Sequence, residues 1–261
     1  MLASLWISKT GLSAQDTALA TISNNLANVS TTGFKRDRAV FQDLLYQVER
    51  QPGAQSSQSD ELPSGLQIGT GVRTVATQKI HTKGNFQVTE QPLDLAVNGR
   101  GFFQVLTPDG TIAYTRDGQF QTNSDGQIVT SIGLPLEPAI TIPADTIQLT
   151  IGSDGVVSAT VAGQTAPTQI GDLQLADFIN PAGLQAIGGN LFRETQASGT
   201  PTIGTAGVDG LGTLEQGVLE GSNVSVVEEL VNLITTQRAY EMNTKVIAAS
   251  DQMLQFVGQT L

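Results

Sequence analysis

The sequence predicts an α+β fold, with long helices at the two termini forming a discontinuous coiled-coil layer. Between them it predicts a central, mainly-β domain of short antiparallel strands and an extended arm. Three observations carry this. Leu5, Leu12, Leu19 and Leu26 recur every seven residues, with Ile22 and Val29 interleaved. Val226, Leu230, Leu233, Tyr240, Ile247 and Leu254 repeat the alternating three- and four-residue spacing near the other end, so each stretch gathers apolar side chains on one narrow helical stripe. In the middle, Asp109-Gly110, Asp117-Gly118, Asp125-Gly126 and Asp154-Gly155 punctuate short alternating runs, the turn chemistry of antiparallel strands.

Taken in order, the first helix is expected from about Ala3 to Val29, interrupted by Gly11 and closed by Ser30, Thr31, Thr32 and the stop residue Gly33. Residues 34–46 carry Phe41, Leu44 and Leu45 but no decisive period, so helix and strand both remain open there. From Gln47 to Gly65 apolar periodicity vanishes into Gln51-Pro52-Gly53-Ala54-Gln55-Ser56-Ser57-Gln58-Ser59-Asp60. This reads as a long loop, either a surface loop or an arm ordered only against a neighbour. The Asp-Gly pairs at 109, 117 and 125, eight residues apart, predict a three-turn meander. A Gly- and Thr-rich stretch then returns the chain to the last helix. Ser222 or Ser225 is its N-cap, Ser225 and Glu228 have capping-box spacing, and its end falls near Val257. The divisions are 1–33 (N-terminal coiled-coil helix), 34–75 (connector and arm, with the loop at 46–65), 76–195 (β domain), 196–217 (return linker) and 218–261 (C-terminal helix).

Composition narrows the function. With 261 residues, 39% hydrophobic and only 14% charged, the chain has material for one large domain or two smaller ones, and a surface of hydroxyls and amides. A net charge of −11 argues against nucleic acid, because phosphate recognition needs clustered Lys and Arg; only Lys35, Arg36 and Arg38 cluster, with Asp37 among them. The chain has no cysteine, which removes disulfides, thiol chemistry and the commonest zinc ligand. The N-terminus lacks the basic region and unbroken apolar run of a cleaved secretory signal, and no stretch reaches the roughly 20 apolar residues of a membrane span. Membrane insertion is not expected.

A search for chemistry returns little. His81, the sole histidine, lies in an alternating run and reads as a solvent-facing strand residue. The Asp-Gly pairs lack the ligand spacing of calcium loops, and the Gly-x-Gly fragments at 69–71 and 99–101 lack the helix and Lys-Ser/Thr of a phosphate loop. No nucleophile elbow or zinc-protease helix motif is present. No catalytic residue, metal site or cofactor is expected, and the chain does not read as an enzyme.

The helices raise the sharper question. With the leucines on the seam, Asn24, Asn25 and Asn28 fall off it, and three poor helix formers within five residues weaken the helix. Either the helix frays there, or the amides are buried against other subunits and set register. The C-terminal stripe carries Gln237, Thr244 and Asp251 at intervals of seven, so it is half polar. Such stripes are incomplete as an isolated pair, which points to further copies of the chain as partners.

Three separated motifs then resemble one family. Ser23-Asn24-Asn25-Leu26-Ala27-Asn28-Val29 followed by Thr32-Gly33-Phe34-Lys35, the body run Asn98-Gly99-Arg100-Gly101-Phe102-Phe103 with Tyr114-Thr115-Arg116-Asp117-Gly118, and Gln237-Arg238-Ala239-Tyr240-Glu241 are similar to the signatures of the bacterial flagellar rod and hook proteins. Residues 36–47 and the run 51–57 look most like the distal-rod branch, with proximal-rod or hook relatives as the alternative. The resemblance implies a non-enzymatic subunit of a rigid hollow helical shaft, between proximal rod and hook, carrying torque through the peptidoglycan and outer-membrane (P and L) rings. It also implies export through the flagellar type III apparatus without a cleaved signal, and a basal-body location spanning the periplasm to the outer membrane. Self-assembly is then expected through Leu5, Leu12, Leu19, Ile22, Asn24, Asn25, Leu26 and Asn28 on the first helix. On the last helix the expected residues are Val226, Leu230, Leu233, Gln237, Arg238, Tyr240, Ile247 and Leu254. The arm, with Gln51, Pro52, Gly53, Asp60, Leu62 and Pro63, would pack between neighbours. A secreted β-rich cell-wall-active protein with helical dimerisation ends is the reading from another class.

Overall fold

The structure, a computed structural model, describes residues 2–53, 63–163 and 166–260. The chain divides into two units. One comprises Met1–Leu26, Asp37–Gln78 and Ser225–Leu261; the other comprises Ala27–Arg36 and Lys79–Val224.

The first unit holds the two long helices, α1 (Leu2–Ala27) and α2 (Val226–Thr260), with two strand pairs. The helix α2 begins where a Ser225 cap places it: the Ser225 carbonyl accepts the first helical bond, from the Glu229 N–H at 3.0 Å. Residues 34–46 resolve as extended chain, because Asp37–Asp43 is a strand paired with Val72–Lys79. The predicted loop is shorter than expected. Tyr46–Arg50 pairs antiparallel with Leu66–Gly69, Tyr46 facing Gly69. Alternation in Tyr-Gln-Val suits a strand, but the run is too short and polar for periodicity to reveal it.

The second unit is β throughout. Its largest sheet, among the described residues, has the order Gln185–Gly188, Leu191–Arg193, Ile112–Thr115, Phe102–Leu106, Gln174–Asp177, Thr202–Thr205, with Leu136–Glu137 also on Phe102–Leu106. Both faces of its central strands are buried, while the edge strands Gln185–Gly188 and Thr202–Thr205 are largely exposed. Phe103, Val105, Ala113 and Leu175 point into a core with Leu95, Val97, Phe120, Ile128, Val157 and Leu214. Phe102, Tyr114, Ala176 and Phe192 point the other way, into a smaller aromatic core with Phe178 and Leu184. The registers Leu175 opposite Phe103 and Phe192 opposite Tyr114 keep each set on its own face.

Three expectations change here. The meander at 109–126 is two separate hairpins, Phe102–Leu106 with Ile112–Thr115 and Phe120–Thr122 with Ile128–Thr130. Gly110 and Gly126 take the positive φ of tight turns, but Asp117-Gly118 makes no turn. Gly118 is instead where the Leu95 backbone passes: the Leu95 N–H donates to the Gly118 carbonyl at 3.0 Å, and a Cβ there would strike the Leu95 carbonyl oxygen. The stretch 196–217 is no plain linker, because Thr202–Thr205 and Thr213–Gln216 are sheet strands and Ala206, Leu211 and Leu214 are buried. Likewise Val218–Glu220 is a strand paired with Phe86–Val88, so the helical segment starts at Val226 rather than 218, and residues 27–33 belong with the β unit rather than with the first helix.

Candidate self-assembly surface

The two helices meet through small and polar residues. The Asn25 amide donates to Glu229 Oε1 at 3.4 Å, and a Cβ at Gly11 would stand 3.2 Å from Asn243 Nδ2. These two pairings, 25 with 229 and 11 with 243, make the helices antiparallel. The most buried positions of α1 are Ser8, Ala14, Ile22 and Asn25, and those of α2 are Glu229 and Ser250, with Leu233, Thr236, Asn243, Ile247 and Leu254 half-buried along the same stripe. The seam is therefore rotated from the predicted one. Leu233, Tyr240, Ile247 and Leu254 do recur along one edge of it. Its other row is Glu229, Thr236, Asn243 and Ser250, while Gln237, Thr244 and Asp251 are exposed. On α1 the leucines at 5, 12, 19 and 26 flank the seam, half-buried, because the close approach is given to small side chains.

The asparagine cluster separates into three fates. Asn25 is almost fully buried. It accepts from the Asp37 N–H and donates to the Asp37 carbonyl, both at 2.8 Å, so its amide is satisfied within the chain. Asn28 accepts from the Thr31 hydroxyl at 3.2 Å, a local turn contact at the helix end. Asn24 is exposed.

What is left uncovered is the outer surface of α2. Val227, Val231, Ile234, Met242, Val246, Met253 and Phe256 lie away from the seam and are all exposed, Val227 at 74% and Phe256 at 68%. Ala249, Gln252, Met253, Phe256 and Val257 frame an open apolar hollow near its end. Large apolar side chains gathered on the water side of a helix mark a surface that a partner covers. Val226, Leu230, Arg238 and Tyr240 are exposed as well. The outer face of α1 differs: Lys9, Ser13, Asp16, Ala20 and Asn24 are exposed there, with Trp6 as its large apolar side chain under the Lys9 ammonium. Sequence reading missed the α2 residues because it looked for one stripe; an apolar count on all faces of the helix finds them.

The strand pairs of the first unit are equally open. Leu45, Tyr46, Val48, Leu66, Ile68 and Val75 are exposed, Leu45 at 88%. Gln51, Pro52, Gly53 and Pro63 are exposed at the described ends of the arm, whereas Asp60 and Leu62 lie outside the described residues.

The remaining signature residues form an interior joint of the β unit. Lys35 Nζ contacts Glu220 Oε1 at 2.6 Å and donates to the Thr82 carbonyl at 2.8 Å, while Arg116 Nη1 reaches Glu220 Oε2 at 3.3 Å. Burial pulls the Lys35 amine and the Arg116 guanidinium below their ordinary values, and the Glu220 carboxylate opposes this in both. Thr32 donates to Asp117 at 3.1 Å, Asn190 donates to the Thr32 carbonyl, and the Gly33 N–H bonds the Glu220 carbonyl. Burial raises the Asp117 carboxyl, with hydrogen bonds from Gln119 and Thr32 pulling it back. Gly33 has φ +66°, and a Cβ there would sit 2.6 Å from the Asp117 nitrogen, so only glycine fits. His81 is not solvent-facing. Its ring packs edge-on against Phe102 and Phe192, both at 5.5 Å, because the strand alternation that suggested exposure gives way to irregular chain at residue 80. Burial raises the Tyr114 hydroxyl to about 12, Glu194 adding to it.

The geometry defines a class: a closed β body joined in sequence to a helical layer whose burial is unfinished, hence a subunit built to assemble. The comparisons agree. Residues 5–35 match the family described as "Flagella basal body rod protein", residues 96–159 "Flagellar hook protein FlgE/F/G D1 domain", and residues 215–260 "Flagellar basal body rod FlgEFG protein C-terminal". Relatives called "Flagellar basal-body rod protein FlgG" include that of Buchnera aphidicola from Schizaphis graminum, 59% identical over 99% of this chain and all of the relative. Those of Caulobacter vibrioides (49%, covering 95% of both chains) and Bacillus subtilis (38%, covering 98% of this chain and 97% of the relative) follow the same full-length pattern. The chain belongs to the FlgG family of flagellar basal-body rod proteins. It is a structural component of the flagellar basal body, from a family of rod subunits rather than enzymes, and it assembles with other rod and hook proteins.

Proposed function

We propose that the chain is the repeating subunit of the distal rod, a rigid hollow helical shaft that transmits torque from the motor to the hook. The shaft passes through the peptidoglycan and outer-membrane rings, with proximal rod proteins and the hook protein at its two ends. Subunits reach it through the flagellar type III apparatus without a cleaved signal. The observation that carries the reading is the exposed apolar surface of α2, which copies of α1 and α2 would cover in a heterologous, non-closing contact, the kind that generates helical polymers. The flanking leucines of α1, with Asn24, belong to that contact. So do Val226, Leu230, Gln237, Arg238 and Tyr240 of α2. Asn25 and Asn28 support it from within the chain, and the open strands of the arm add lateral contacts that stiffen the shaft.

Limited proteolysis of the purified monomer and of assembled rods tests this. In the monomer both helices are trimmed while roughly residues 80–200 survive; in rods the helices are protected. Helices equally resistant in both states would overturn the proposal.

A further inference from the structure

Three segments meet in one clamp of the β unit: residues 34–36, 80–84 and 220–223. They adjoin three of the four points at which the chain passes between the units: after residue 36, before residue 79 and after residue 224. The Ile80 N–H donates to the Arg36 carbonyl at 2.9 Å, and the Asn223 amide donates to the Ile80 carbonyl at 2.8 Å and to the Thr82 hydroxyl at 2.9 Å. Asn223 Oδ1 accepts from the Arg36 N–H at 2.7 Å, Lys35 holds the Thr82 carbonyl, and Glu220 Oε1 accepts from the Gly84 N–H at 3.0 Å.

His81 lies in the middle segment of this clamp. Its ring is wedged between Phe102 and Phe192, and neither ring nitrogen has a hydrogen-bond partner. The charged groups facing it are the cations Lys35, Lys79 and Arg116. The carboxylate in this cluster, Glu220, is already engaged by Lys35, Arg116 and the Gly84 N–H. A proton on the imidazole would add a fourth positive charge to an apolar pocket in which the Pro181 carbonyl is the acceptor nearby. We propose that His81 is an acid-releasable latch: the clamp is shut while the imidazole is neutral, and protonation opens residues 79–84, loosening the three segments of the clamp together.

The sign follows from linkage. Desolvation first, then the three cations, lower the imidazole to about 4, with the Pro181 carbonyl pulling the other way more weakly. Between about 4 and the ordinary 6.5 the open state binds more protons than the closed one, so opening grows as pH falls through that window and is insensitive to pH above it. Asp117, raised by burial, acts in the opposite direction and cannot produce the effect.

His81 is the only histidine, so its ring resonance can be followed by NMR in the intact chain without assignment by mutation. The ring is expected to titrate near 4. Amide exchange of residues 79–84, corrected for its intrinsic pH dependence, is expected to rise roughly thirty-fold between pH 7.5 and 5. His81→Phe keeps the aromatic packing and removes the proton site, and should abolish that rise. A ring titrating near 6.5 while 79–84 stay protected, or an equal rise in His81→Phe, overturns the latch. If the variant does not fold, the titration of the unsubstituted chain decides by itself. These readouts concern the single chain, so their failure leaves the assembly reading untouched.

Discussion

The two units solve the burial problem in opposite ways. In the β unit the central strands of the large sheet bury large side chains on both faces, Phe103 and Leu175 on one and Phe102 and Phe192 on the other, and even the ionic residues Lys35, Arg116 and Glu220 are interior and paired through Glu220. In the helical unit the buried helix positions are Ser8, Ala14, Ile22, Asn25, Glu229 and Ser250, small or polar but for Ile22, while Val227, Ile234, Met253 and Phe256 face outward. Mostly small and polar residues inside, with many large apolar ones outside, is the reverse of what a stable monomer wants. The difference separates roles: one unit is finished by folding, the other by assembly. Substitutions should therefore sort cleanly, with stability defects of the single chain in the first and polymer defects in the second.

The largest effect on the monomer should come from Glu220→Ala. It strands the Lys35 ammonium and the Arg116 guanidinium in the interior without their carboxylate, which costs on the order of 4 kcal/mol. Urea unfolding followed by circular dichroism measures it. A loss under about 1 kcal/mol would mean the β unit is not finished by its own interior.

Next is Gly33→Ala. The left-handed backbone alone costs about 1 to 2 kcal/mol, and the added methyl meets the Asp117 backbone, which cannot swing aside. About 3 kcal/mol is expected, again in single-chain unfolding. Within the helical unit, Asn25→Ala removes its two hydrogen bonds with the Asp37 backbone and its donor to Glu229, for about 2 kcal/mol. This marks the one place where the helical unit does depend on internal contacts. An unchanged monomer that no longer polymerises would move Asn25 to the intersubunit side of the comparison.

The architecture was legible because its signals are local. Heptad spacing at Leu5 to Leu26 and at Val226 to Leu254 announced two helices, and the Asp-Gly pairs at 109, 125 and 154 announced hairpins. What failed was long-range. Asp117-Gly118 has the composition of a turn but is consumed by contacts with Thr32 and Leu95, partners 85 and some 20 residues away that no window can see. The strands within 196–217 looked like linker because Gly and Thr dominate, and their burial comes from Leu211 and Leu214 meeting a core assembled from elsewhere. The helix seam was misjudged by one row: leucine periodicity marks an apolar edge, but the closest approach goes to Ser8, Gly11 and Ala14, whose smallness carries no hydropathy signal. His81 failed for the same reason as Asp117, since its partners Phe102 and Phe192 are distant in sequence.

The smallest effect on the monomer should come from the substitutions that matter most to assembly. Val231→Ser with Ile234→Ser replaces two exposed apolar side chains on the outer face of α2, where water already surrounds them. Neither residue touches the seam marked by Glu229, Asn243 and Ser250, so single-chain unfolding should shift by no more than about 0.5 kcal/mol. In a polymer the same positions repeat in every subunit. Burying two Ser hydroxyls in place of apolar groups then removes about 2 to 4 kcal/mol of transfer free energy per copy. Sedimentation and electron microscopy should find a fully folded chain that no longer forms rods. Rods of normal length and abundance from the double variant would show that the outer face of α2 is not where copies meet, and the contrast between the two units would lose its meaning.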